Sequence, residues 1–133
     1  MKRLDHIAIA VADLEAAEKT YREVLGLAWE GREEVAGQKV MTSIFGVGES
    51  RVELICPTAD DSPIAAFLAK RGGGLHHICF EVADIEAEME LLRLRGVRLL
   101  SEKPTVGAGG SKIVFLHPKD AEGVLVELVE KPL

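Results

Sequence analysis

The sequence contains no asparagine and a single glutamine, Gln38, while Glu, Arg and Lys are plentiful. Few heat-labile amides beside abundant charge lean towards a thermophilic source. Cysteine is scarce as well: Cys56 and Cys79 stand without C-x-x-C spacing, so they read as a reduced pair of small buried residues. No apolar run is long enough to cross a bilayer, Ile7–Ala12 and Ile113–Leu116 being typical of the longest. Lys2 and Arg3 ahead of an apolar run superficially suggest a secretion signal. The run is short, however, Asp5 and His6 precede it, and Asp13 and Glu15 follow at once. The expectation is a cytoplasmic protein with no targeting segment. Positive charge is in deficit, 16 Lys and Arg against 22 Asp and Glu for a net −6. That argues against non-specific binding to nucleic acid or to anionic membranes.

What is present is a repeat. The 133 residues are about one domain's length, and 47% hydrophobic content supplies a core. Asp5–Ala17 (DHIAIAVADLEAA) lies in register over His76–Glu88 (HHICFEVADIEAE), 71 residues on. Val52–Ile55 (VELI) matches Val126–Val129 (VELV), 74 residues on. Loop-length differences between two copies account for the drift. Each copy opens with an alternating strand, HIAIAV or HICFEV. An aspartate able to cap a helix follows, then helix formers. The apolar stripe is Leu14, Ala17, Tyr21, Val24 and Leu25 before Gly26 in the first copy. In the second it is Ile85, Met89, Leu92 and Leu94 before Gly96. Strands are expected at roughly 27–33, 39–46 and 51–56, and again at 97–101, 112–116 and 124–130. The predicted pattern is therefore β-α-β-β-β, twice. Module one is placed at 1–57, a connecting helix and hinge at 58–74, and module two at 75–133. The connecting helix is Asp61–Arg71 and the hinge Gly72–Gly74.

Side chains alternate across a strand. His6, Ala8 and Ala10 share one face, and Ile7, Ile9 and Val11 the other. His77 and Cys79 share one face, and Ile78, Phe80 and Val82 the helix-packed one. Glu53 and Glu127 each sit between apolar neighbours that belong to the opposite face. Each module thus presents one His and one Glu on the side away from its helix. Side-by-side modules would bring all four into one concave sheet. A carboxylate within an apolar strand costs several kcal/mol unless paired or coordinated. Two such carboxylates also repel. One divalent ion resolves both problems, and two imidazoles with two carboxylates suit Zn, Mn, Co, Ni or Fe better than Ca.

A single His on a strand is more often structural, and a single Glu more often an edge charge. The recurrence of both types at matching places favours the metal. His76 faces away from His77 and reads as structural. His117, in the HPKD loop His117–Asp120, either touches substrate or shapes a turn. Gly107–Gly110 (GAGG) lacks the Lys-Ser/Thr and helix of a phosphate loop and reads as a mobile loop beside the site. Arg71, Lys112 and Lys119 are available to an anionic ligand, with solvated surface charge as the default.

These residues resemble the vicinal oxygen chelate superfamily and, within it, the methylmalonyl-CoA epimerases. The likeness covers almost the whole chain: Tyr21–Leu27, Asp61–Gly72, Gly74–Ile85, Gly96–Pro104 and Gly107–Leu128. The FLHPK…GVLVEL stretch discriminates most. The resemblance implies an α+β fold, two tandem βαβββ modules forming a shared, curved mixed sheet around a metal site. It implies His6, Glu53, His77 and Glu127 as ligands of one divalent metal ion (Co, Mn, Zn, Ni or Fe). The implied partner is an acyl-CoA substrate, and the implied assembly a homodimer. The implied reaction interconverts (R)- and (S)-methylmalonyl-CoA. A proton leaves the carbon α to the thioester and returns on the opposite face, with Glu127 as one carrier. Some relatives place a second Glu on the strand that here reads KVMTSIF, where Val40 or Thr42 stands instead. The second carrier is then Glu53, a metal-bound water or a residue that the sequence does not place, with Glu53 the favoured candidate. Glyoxalase I, an extradiol dioxygenase and a metal-free binding module of the bleomycin-resistance type are the rivals.

Overall fold

The computed structural model describes residues 1–133. They form two compact units, His6–His76 in one and Met1–Asp5 with His77–Leu133 in the other.

The first unit contains most of β1 (Arg3–Ala10), then α1 (Leu14–Lys19), β2 (Ala28–Val35), β3 (Val40–Val47), β4 (Ser50–Pro57) and α2 (Pro63–Arg71). Its strands run in the order β2-β3-β4-β1. β2 and β3 are antiparallel, as are β3 and β4, while β4 lies parallel to β1. Asp13 caps α1 by accepting from Ala16 N at 3.0 Å. Leu14 of that helix is buried with Phe45 and Leu54 of the sheet, with Ile9, Val11, Ala17 and Tyr21 packed around them. A fully buried Phe or Leu contributes about 1.5–3 kcal/mol, so this layer fixes which face of β1 turns inward. The face carrying Ala8, Ala10, Val40 and Ile55 is covered at that end by Ile64, Phe67 and Leu68 of α2.

The predicted stripe runs too long. Beyond α1 the chain widens into a π-helical turn, Thr20–Val24, closed by Leu25 N to Thr20 O at 3.0 Å. The wider turn carries Val24 off the buried face, leaving it 76% exposed, and Leu25 with it. Tyr21 stays in, its ring 6.0 Å from Phe45. Under α1, Glu18 is buried and held by Arg32 Nε at 2.7 Å and Nη2 at 2.5 Å. Ser43 Oγ donates to Glu18 at 2.6 Å and receives from Trp29 Nε1 at 2.9 Å.

The second unit contains β5 (Gly74–Glu81) from His77 on, α3 (Ile85–Leu94), β6 (Thr105–Val106), β7 (Lys112–Leu116) and β8 (Val126–Glu130). Its strand order is β5-β8-β7-β6, with β5 parallel to β8 and the other neighbours antiparallel. The topology of the first unit is repeated. Ile85, Met89 and Leu92 of α3 pack on Val82, Val114, Leu116, Val126 and Leu128. Leu94, predicted in that stripe, is 80% exposed. Nine residues from Ile85 at 3.6 per turn put it about half a turn away, on the outside.

The strand predicted at 97–101 is absent apart from one bridge, Leu99 to Leu116. Arg98 N donates instead to the Asp120 carboxylate at 2.8 Å, which withdraws it from any ladder. On the outer side of β7 the paired strand is the two-residue β6, with β8 on the inner side. Charge explains why the first five residues belong to this unit. Glu81 is buried and meets Arg3 Nε at 2.9 Å and Lys2 Nζ at 3.4 Å. Lys131 Nζ lies 2.6 Å from the buried Asp5 and 3.5 Å from Glu81. No helix is long and apolar enough to cross a membrane.

Candidate metal centre and active site

In the first unit His6 and Glu53 share a face, because β1 pairs parallel to β4 with His6 opposite Arg51 and Ala8 opposite Glu53. His6 Nδ1 lies 3.5 Å from Glu53 Oε2, and both side chains are close to buried. Arg51 Nη2 approaches the same oxygen at 3.2 Å. Arg51 was not among the residues singled out in the sequence. Its signal was present in Arg-Val-Glu, where two opposite charges alternate with a core valine.

The second unit repeats the arrangement. Cys79 is opposite Glu127 on the parallel β8. His77 Nε2 reaches Glu127 Oε1 at 3.2 Å, and both residues are buried. Phe115, opposite Glu127 on β7, meets the His77 ring edge-on at 5.8 Å. Cys79, Ile113 and Val129 make that face apolar around the pair.

The donor chemistry fits a divalent cation. Each unit offers an imidazole and a carboxylate that are close to buried, where anionic oxygen is stabilised by a positive partner. Two donors are too few for a closed shell, since protein zinc sites take at least three ligands. A single pair would be incomplete.

The alternation on β3 settles what that strand contributes. Ile44 is opposite Glu53 and Thr42 opposite Ile55, so Val40, Thr42 and Ile44 share the face of His6 and Glu53. Val40 is packed among Ala10, Ile55 and Ile64. None of the three exchanges a proton near neutral pH.

The remaining candidates lie elsewhere. His76 stacks edge-on against Phe67 with centroids 4.9 Å apart, a packing role. His117 shapes a turn: its Nδ1 accepts from Lys119 N at 3.1 Å and Pro118 follows as the first residue of a short 3-10 helix. The GAGG segment is a closed 3-10 turn, with Gly107 N bonded to Ser111 O at 2.9 Å and Ser111 Oγ to Ala108 O at 2.8 Å. Lys112 faces Glu130 at 3.9 Å, and the Arg71 guanidinium lies 5.5 Å from the Phe67 ring centre. Cys56 and Cys79 form no disulfide, and burial pushes the Cys56 thiol up.

A sequence profile of the Glyoxalase/Bleomycin resistance protein/Dioxygenase superfamily matches residues 5–115. The chain belongs to that superfamily and carries its paired βαβββ fold. Among its relatives, the ethylmalonyl-CoA/methylmalonyl-CoA epimerase of Cereibacter sphaeroides is 45% identical over 128 residues, covering 95% of this chain and 96% of that protein. The mitochondrial methylmalonyl-CoA epimerase of Homo sapiens is 45% identical over 127 residues, covering 95% of this chain and 72% of that protein. A solved methylmalonyl-CoA epimerase in complex with methylmalonyl-CoA and NH4+ superposes with a TM-score of 0.93 at 41% identity, covering 98% of this chain and 95% of that one. By contrast, a lactoylglutathione lyase of Arabidopsis thaliana is 24% identical over 130 residues, 44% of its own length.

Proposed function

We propose that this protein is a methylmalonyl-CoA epimerase, interconverting the (R) and (S) forms by proton transfer at the carbon α to the thioester. The observation that carries the reading is the 45% identity to epimerases over 95% of the chain. The much more distant lactoylglutathione lyase gives the glyoxalase reading far less support.

The site in this reading is His6, Glu53, His77 and Glu127, holding one divalent ion jointly. Its support is the repeated His–Glu pair, buried in each unit and short of a full ligand set alone. A bound divalent ion supplies positive charge where oxygens of the substrate become more negative. The α-hydrogen is acidified by the adjoining thioester carbonyl and carboxylate. Glu127 removes or returns it on one face. It suits that task because an anionic carboxylate among Cys79, Ile113, Val129 and Phe115 has little water to compete for the proton. A carrier is also required on the opposite face, and β3 offers only Val40, Thr42 and Ile44. Glu53 is then the second carrier. Its carboxylate lies 3.5 Å from His6 Nδ1 and 3.2 Å from Arg51 Nη2. The substrate is an acyl-CoA, and the protein works as a homodimer, which light scattering of the purified protein tests.

Exchange of the methylmalonyl-CoA α-hydrogen in deuterated water tests the reaction. The expected result is rapid exchange that stops on adding a chelator and resumes with a divalent ion. No exchange under any metal condition would sink the reading.

A further inference from the structure

Glu53 Oε2 faces two cationic or proton-bearing groups on one sheet face: His6 Nδ1 at 3.5 Å and Arg51 Nη2 at 3.2 Å. The register makes this systematic. His6 and Arg51 are paired residues on the parallel strands β1 and β4, and Glu53 is the next residue of β4 on their face. The corresponding position in the second unit is not charged: two residues before Glu127 stands Leu125. The two halves of the repeat therefore differ in one specific way. One carboxylate has a guanidinium at its side, and the other is set among Cys79, Phe115 and Ile113.

We propose that Arg51 is a positioning residue: it fixes the orientation of the Glu53 carboxylate and offsets one negative charge of the site. The proposal rests on the functional reading above. Two carboxylates and a divalent ion sum to zero. The substrate's own carboxylate and the charge developing during proton abstraction then leave the site strongly anionic. A guanidinium bonded to Glu53 reduces that excess without becoming a ligand itself, and it stays charged across the working range.

This predicts opposite signs for two measurements. An arginine draws on the same negative charge that a cation would, so its removal tightens ion binding while slowing turnover. Loss of folding or of packing would weaken both. The experiment measures Mn²⁺ binding to the metal-stripped protein by paramagnetic resonance of the free ion, without substrate. It also measures kcat and KM of epimerisation for wild type, Arg51→Ala and Arg51→Lys. Arg51→Ala should bind Mn²⁺ about threefold to tenfold more tightly and turn over about tenfold more slowly, a charge effect screened by partial exposure. Arg51→Lys should lie between it and wild type. In a Glu53→Ala background, Arg51→Ala should change Mn²⁺ binding by less than about twofold, since the pair is already broken. Unchanged Mn²⁺ affinity in Arg51→Ala, or weaker binding together with slower turnover, overturns the proposal. Wild-type protein that binds no Mn²⁺, or fails to exchange the α-hydrogen, strikes at the functional reading instead.

Discussion

His77 Nε2 stands 3.2 Å from Glu127 Oε1, on a diagonal in which Cys79, two residues along β5, is the direct partner of Glu127. The first unit has the same diagonal. Ala8, two residues beyond His6, is the direct partner of Glu53. An imidazole thus leans along its strand to the same relative carboxylate in both halves. The identical register is what a duplicated module with a preserved His–Glu pair produces. The nitrogens differ, Nδ1 of His6 in one half and Nε2 of His77 in the other.

Replacing His77 with alanine should strip the bound metal. It removes one of two donors that its unit provides and leaves Glu127 facing an apolar surface. Loss of a ligand from so small a set lowers metal affinity steeply. Elemental analysis of the purified variant should find it nearly metal-free, with epimerisation almost abolished. Full occupancy would show that His77 is not a ligand.

Glu127→Gln keeps the shape and removes the basicity. Glu127 is buried among apolar side chains, so the neutral amide should fold at least as readily as the carboxylate. Turnover should fall by about 3–4 kcal/mol of transition-state stabilisation, roughly a factor of 10² to 10³. Circular dichroism and kcat on one preparation check both halves. A near-normal rate removes Glu127 from proton transfer.

Much of this architecture is legible in local pattern. Alternation in HIAIAV and HICFEV places His6 and His77 away from the helix-packed residues, and the observed faces agree. The repeat by itself implies a second β-α-β-β-β, and the strand expected at 112–116 matches β7. The misses share a cause, which is competition from partners distant in sequence or a change of helical period. The Arg98 N–H goes to Asp120 while its carbonyl accepts from His117 N at 2.8 Å, so pairing at 97–101 stops at a single bridge. The π turn after α1 displaces Val24 and Leu25, and periodicity at 3.6 does not foresee it. Arg51 is not legible as a site residue from its own position on the strand; only the β1–β4 register brings it beside Glu53. The alliance of Met1–Asp5 with the second unit depends on Glu81 and Lys131, invisible to any local window.

Stability in acid should depend on Glu18. Arg32 donates two hydrogen bonds to its carboxylate and lowers its pKa, against the upward push of burial, with Ser43 assisting. A carboxyl group with a depressed folded-state pKa stabilises the fold above its unfolded value and loses that contribution as pH falls through the folded one. Glu18→Gln should therefore cost about 1–2 kcal/mol at neutral pH, a modest figure because Arg32 is partly solvated. The difference from wild type should shrink as pH drops below about 4. Denaturant melts at several pH values read it directly. A gap independent of pH would mean that packing, not charge, is what Glu18 supplies.

The segment joining the units should be intolerant of side chains at one specific residue. Gly73 has φ +121°, a conformation in which L residues are strained, and a Cβ there would sit 3.1 Å from Ala10 O. The neighbouring atom is backbone, so it cannot swing aside. Gly73→Ala should destabilise the protein by about 1–3 kcal/mol. Gly37 is the control, since its φ lies outside the left-handed region and a Cβ would meet nothing within 4 Å. Gly37→Ala should then shift stability by no more than about 0.5 kcal/mol. Denaturation midpoints of the two variants decide it, because equal losses would show that neither the dihedral nor the Ala10 carbonyl constrains the chain at Gly73.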